Sequence, residues 1–213
     1  TNVQFTPYAG APDLNQVRST AYMFDGATHF DSDIAAWNTN SVTSMAGMFN
    51  KAQAFNGDIS GWDTSNVTEM HSMFAHAKTF SADISSWDTS KVQDMTAMFD
   101  GATDFDINLR TWNVGSLTKA NNIFDHSGLS PINYSSTLDG WVRSEKAPRN
   151  LTIGAEGVYW CPHPSFDEAK TLMNERGWVR NDAGAASEYQ GPVISVVNKQ
   201  DLDSEKKGPV TIV

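Results

Sequence analysis

Apolar positions recur along this chain with a period of 25 residues. Trp37, Trp62, Trp87 and Trp112 mark the period, and Phe24, Phe49, Phe74, Phe99 and Phe124 keep step with them. Further columns follow the same count: Val17, Val42, Val67, Val92 and Leu117; Met23, Met48, Met73, Met98 and Ile123; Phe30, Phe55, Phe80 and Phe105; Ile34, Ile59, Ile84 and Leu109; and Ala27, Ala52, Ala77 and Ala102. A fixed period of this length is the mark of a stacked repeat. Each unit buries its apolar faces only against its neighbours, so several units and two end caps are needed.

Within a unit the pattern is Ile-x-x-Trp-x-Thr-x-x-Val, as in Ile84-Ser-Ser-Trp87-Asp-Thr89-Ser-Lys-Val92. Alternation around the tryptophan predicts a short strand over Gly61–Ser65 and its equivalents. Trp62 and Thr64 then point inward, and Gly61, Asp63 and Ser65 outward. The following apolar positions, Val67, Met70, Met73 and Phe74, suit one face of a short helix. Ser65 and Ser90 read as its N-caps, and Asp94 adds acid to its first turn.

The fold class expected is therefore an α/β solenoid, with short parallel strands, short helices and an α/β C-terminal cap. Four regions are expected: an N-terminal cap over residues 1–16, the tryptophan-rich repeats over 17–130, a C-terminal cap over 131–184, and a tail over 185–213. Cap helices are expected near Leu138–Arg143 and Phe166–Glu175. In the tail, Gly191-Pro-Val-Ile-Ser-Val-Val and Gly208-Pro-Val-Thr-Ile-Val read as β segments, either a linker or a strand added to a partner's sheet.

The motif Met-Phe-x-x-Ala-x-x-Phe-x-x-Asp-Ile-x-x-Trp-Asp-Thr-Ser-x-Val-x-x-Met, carried almost throughout by Met48–Met70 and Met73–Met95, resembles the BspA-type leucine-rich repeats of bacterial surface proteins. The match to the leucine-rich skeleton has an aliphatic residue where the final Asn stands. The resemblance implies a leucine-rich-repeat-like right-handed stack. It also implies a C-terminal cap, matched by Trp141, Leu151-Thr-Ile-Gly, Tyr159, a helix with Ala169 and Leu172, and Gly177-Trp178-Val179. Such repeats are tied to adhesion, and tryptophan-rich forms occur in large calcium-dependent adhesins of the RTX type. A fold-level likeness of this kind is an analogy for function.

Charge narrows the partners. The formal net charge is −10, which disfavours nucleic-acid phosphate and anionic membrane. No apolar run approaches a membrane span of about 18 residues. The single cysteine, Cys161, allows no internal disulfide and is expected to be a small cap residue. The opening Thr-Asn-Val-Gln-Phe has no signal-peptide character, and the chain is expected to be one module of a longer protein.

Candidate chemistry lies in two polar columns. Asn38, Asp63, Asp88 and Asn113 follow the tryptophans; Asp33, Asp58, Asp83 and Asn108 precede the isoleucines. Two readings stand side by side. Either these side chains accept backbone N–H bonds at turns, or Asp33, Asp58, Asp83, Asp63 and Asp88 help bind Ca²⁺, a hard cation that takes several oxygens. Otherwise no cofactor is expected. The strip Asn38, Asn40, Asp63, Ser65, Asp88, Ser90 and Asn113 is the candidate contact surface for a protein, a glycan or a second copy. Trp160, outside the repeat, is expected as an exposed aromatic. Histidines 29, 71, 76, 126 and 163 form no zinc motif, and no nucleophile elbow or P-loop occurs. The expectation is a non-catalytic module at the bacterial cell surface, for adhesion or self-association; the alternative is a rigid spacer.

Overall fold

A computed structural model describes residues 12–187. The repeat units stack in parallel, each joined to the next by one β-bridge in a continuous line: Ser19 to Ser44, Ser44 to Glu69, Glu69 to Asp94, and Asp94 to Lys119. The pairing lies in the segment that the apolar spacing assigns to a helix. No helix forms there, and residues 61–65 hold a turn instead of a strand. That local expectation is corrected, and the hydrogen bonds give the reason. Met45, Gly47, Phe49 and Lys51 donate their N–H groups to the carbonyls of Glu69, His71, Met73 and Ala75 in the next unit, at 2.7–2.9 Å. The residues between them close tight turns, such as Met48 N–H to the Met45 carbonyl and Asn50 N–H to the Gly47 carbonyl. An α-helix needs those same donors for its own i−4 carbonyls.

This ladder requires left-handed residues at regular intervals. Tyr22, Ser72, Ala97 and Asn122 have φ between 53° and 58°, and Gly47 occupies the same column at 59°. Four residues on, Lys51, His76 and His126 repeat the conformation. Alternating handedness turns alternate N–H groups to one side of the chain and alternate carbonyls to the other. Over residues 20–26 and their equivalents donors therefore face the C-terminal neighbour and acceptors the N-terminal one; just ahead of them the sense reverses, with the Thr43 and Ser44 N–H groups donating back to the Arg18 carbonyl.

The core runs along the stack as columns. Phe49 lies flat on Phe55 (centroids 3.9 Å, planes 2° apart) and above Phe74 at 5.6 Å; Phe74 and Phe80 repeat the pair at 3.8 Å. Each buried aromatic or aliphatic side chain contributes about 1.5–3 kcal/mol by leaving water. The tryptophans of the repeat column lie inside, no more than 6% exposed. Burial obliges each indole N–H to find an acceptor. Trp62, Trp87 and Trp112 donate to the carbonyls of Ile34, Ile59 and Ile84 in the preceding unit, at 3.0–3.2 Å. A threonine ladder runs beside them: the buried hydroxyls of Thr39, Thr64 and Thr89 donate to the carbonyls of Asp63, Asp88 and Asn113, each at 3.0 Å.

The C-terminal region closes the stack with α1 (Pro131–Arg143), β1 (Thr152–Ala155), α2 (Pro164–Glu175) and β2 (Val179–Asp182). Helix α1 starts seven residues before the expected Leu138, because Ser130 caps it and Pro131 supplies a first turn that needs no N–H donor. His163 caps α2 two residues earlier than expected in the same way. Trp141 of α1 takes the next place in the tryptophan column, 6.5 Å from Trp112 and donating to the Leu109 carbonyl at 2.8 Å. Strand β1 pairs in parallel with β2 and continues the ladder, since Phe124 and His126 donate to the carbonyls of Gly154 and Glu156. The two β segments expected in the tail lie outside the described residues.

Candidate functional site

Both polar columns form Asx turns. In the first, Asp33, Asp58, Asp83 and Asn108 accept the N–H of the residue two positions on, Ala35, Ser60, Ser85 and Arg110, at 2.9–3.0 Å. In the second, Asn38, Asp63, Asp88 and Asn113 accept from Asn40, Ser65, Ser90 and Gly115 at 2.9–3.2 Å. One side-chain oxygen of each is thus used in shaping a turn, around the inward Ile in the first column and directly after the inward Trp in the second. Asx geometry does this because the side-chain oxygen mimics a backbone carbonyl.

Hydrogen bonds lower the pKa values of Asp58, Asp63, Asp83 and Asp88. The Ser90 hydroxyl and N–H hold Asp88 below its ordinary range; Lys91 helps, and burial and the neighbouring Asp63 oppose. Ser65 does the same for Asp63, and Ser60 for Asp58; for Asp83 the Ser85 N–H leads. Asp63 and Asp88 are exposed, so the strip presents carboxylate to solvent. Asn38, Asn40, Asp63 and Asp88 are open, whereas Ser65, Ser90 and Asn113 are half-buried. Cross-unit contacts tie its edges: Asn38 to the Asn15 side chain, Asn66 to the Asn40 carbonyl, and Lys91 to the Asn66 side chain, at 2.8–2.9 Å. Among the described residues, no group of three or more His, Cys, Asp or Glu side chains is placed to hold a metal ion.

Trp160 is not the open aromatic expected. It is half-buried against the core, its ring 5.6 Å from Phe166, and the Lys170 ammonium sits 3.9 Å over one face. A cation on the ring face leaves no free stacking surface on that side. Cys161 is buried, and burial pushes its thiol pKa up.

Two polar constellations escaped the sequence reading. A third column, Asp31, Asn56, Ser81 and Asp106, links units directly: Asp31 accepts from the Asn56 N–H and Asn56 from the Ser81 N–H, at 3.2 and 2.9 Å. Asp106 ends it by accepting from the Ser130 N–H, the Ser130 hydroxyl and the Asn133 side chain, which fastens α1 to the last repeat. The 25-residue spacing of those polar positions was available as a signal. The second constellation had none. Asp182 receives the Tyr134 hydroxyl at 3.1 Å and the Arg180 guanidinium at 2.7 Å, which joins α1 to β2. Burial pushes the Tyr134 phenol well up.

Comparison with known proteins places this geometry in a family. The family described as "Mycoplasma protein of unknown function, DUF285" matches residues 18–141, more than half of the chain. The chain belongs to this family. The DUF285 match begins at Arg18, one residue before the first β-bridge, and ends at Trp141, where α1 completes the tryptophan column. It therefore takes in all the repeat units with their bridges and Asx turns. No curated protein and no solved structure matches the chain. Among the described residues, no helix is long and apolar enough to cross a membrane.

Proposed function

We propose that this DUF285 domain is a non-catalytic adhesion module of a larger bacterial surface protein, binding a protein, a glycan or its own kind through the acidic and amide strip. The observation carrying this reading is the strip itself. Turn geometry repeats Asn38, Asp63, Asp88 and Asn113 at one place in four successive units, with ionised carboxylates held outward at the middle two. The resemblance to BspA-type repeats supports the stack as a leucine-rich-repeat-like solenoid and the module as extracellular. A rigid spacer is the second reading. It draws support from the same turns, since each side chain already does structural work by holding its turn.

The double variant Asp63→Asn with Asp88→Asn separates the two. Asn38 and Asn113 make the same turn, so the variant keeps the fold and removes only charge. On glycan and protein arrays, and in light scattering with millimolar Ca²⁺ or with EDTA, the adhesion reading expects binding or self-association that the variant loses. A parent chain that stays monomeric in both buffers and binds nothing on the arrays overturns it in favour of the spacer. Calcium-dependent association of the parent alone would assign the carboxylates a bridging ion.

A further inference from the structure

Over residues 20–26 and their equivalents the ladder runs one way, although Thr43 and Ser44 just ahead of it donate back to Arg18, and its N-terminal edge is open among the described residues. In the second to fifth units the accepting carbonyls are filled by the unit before: Ser44, Ala46, Met48 and Asn50 in the second, and their equivalents onward. The matching carbonyls of the first unit are those of Ser19, Ala21, Met23 and Asp25, and among the described residues none donates a hydrogen bond to them. A second observation marks the same edge. Met23 is 43% exposed and Tyr22 52%, whereas Met48, Met73, Met98 and Ile123, the equivalents of Met23, are wholly buried. Met23 is thus a core position of the repeat with no unit packed on it among the described residues.

The chemistry of the edge selects its partner. Two such edges cannot meet head to head, because carbonyl would face carbonyl. An ordinary sheet edge offers N–H and C=O in turn, so half of its groups would oppose acceptors. The chain's own donor row at Phe124 and His126 is already taken by β1. A fitting partner must offer N–H groups at every second residue on one side and an apolar cover for Met23. The donor side of this repeat does both. We infer that the edge formed by Ser19–Asp25 is a docking edge for one further unit of the same 25-residue repeat, which donates to these four carbonyls and buries Met23.

Methionine oxidation reads the edge directly, since sulfoxide forms at exposed thioethers. In the full chain under dilute peroxide, Met23 is expected to oxidise far faster than Met48 or Met73. A second chain carries a copy of Ser41–Asn50 placed directly ahead of Thr1, where the 25-residue count puts it. That copy is expected to slow Met23 to the Met48 rate and to raise Tm. A third chain carries the same copy with Met45→Pro, Gly47→Pro and Phe49→Pro, which removes the three donors that lie in the copy, and its Met23 is expected to stay fast. The inference fails if Met23 is already slow in the unaltered chain, with light scattering then telling a second copy from the chain itself. It fails equally if the copy leaves Met23 fast, or if the proline copy protects as well.

Discussion

Thr→Val is nearly isosteric, and at two buried sites of this protein it should act with opposite signs. Thr89 is fully buried, and its hydroxyl donates to the Asn113 carbonyl at 3.0 Å. Thr89→Val removes the bond and leaves a part-buried carbonyl without its donor, a loss of about 1 kcal/mol or somewhat more. Thr20 is 1% exposed and stands in the column occupied by Met45, Met70 and Met95; its hydroxyl is buried with no hydrogen-bond partner. Thr20→Val removes an unpaired polar group at almost constant volume, a gain of about 1 kcal/mol. The two variants should therefore differ by about 2 kcal/mol, or ~30-fold in the unfolding constant. Urea titration followed by the fluorescence of the buried tryptophans measures both midpoints. The m-values should match that of the parent, since neither change alters the surface exposed on unfolding. Shifts of the same sign at both sites would refute the claim that hydrogen-bond partnering decides the effect.

Trp87→Phe removes the donor to the Ile59 carbonyl and leaves a gap in the column, with an expected loss of about 2–4 kcal/mol in the same titration. Asp106→Ala unfastens α1 from the last repeat and should lower Tm, with faster amide exchange in α1 than in units two to four. The folded-state pKa values of Asp58, Asp63, Asp83 and Asp88 lie below the ordinary 3.8. As pH falls through 3.8 the unfolded chain takes up protons first, so the stability present above that pH is lost progressively below it. Thermal melts from pH 6 to pH 2 should show this decline, and a shallower one in the Asp63→Asn, Asp88→Asn variant; equal slopes would remove the Ser65 and Ser90 hydrogen bonds as its cause.

Periodicity by itself determined which residues are inside. The burial of Trp62, Thr64, Val67, Met70, Met73 and Phe74 follows from columns at a constant count, because a position repeated in every unit of a stack has the same neighbours in every unit. It also marked both Asx columns and allowed their turn role. The backbone conformation between those positions was not legible. Val67, Met70, Met73 and Phe74 match a helical face, yet they sit on a ladder of turns. The deciding term is hydrogen bonding to residues 24 positions away, which no window of local sequence contains. Asp182, Tyr134 and Arg180 meet for the same kind of reason, across two cap elements. The open acceptor edge at Ser19–Asp25 belongs to that class too. Sequence spacing set the apolar columns of the stack, but only the tertiary structure decided which way its N–H groups point, because that polarity is a property of neighbouring units and of no single one.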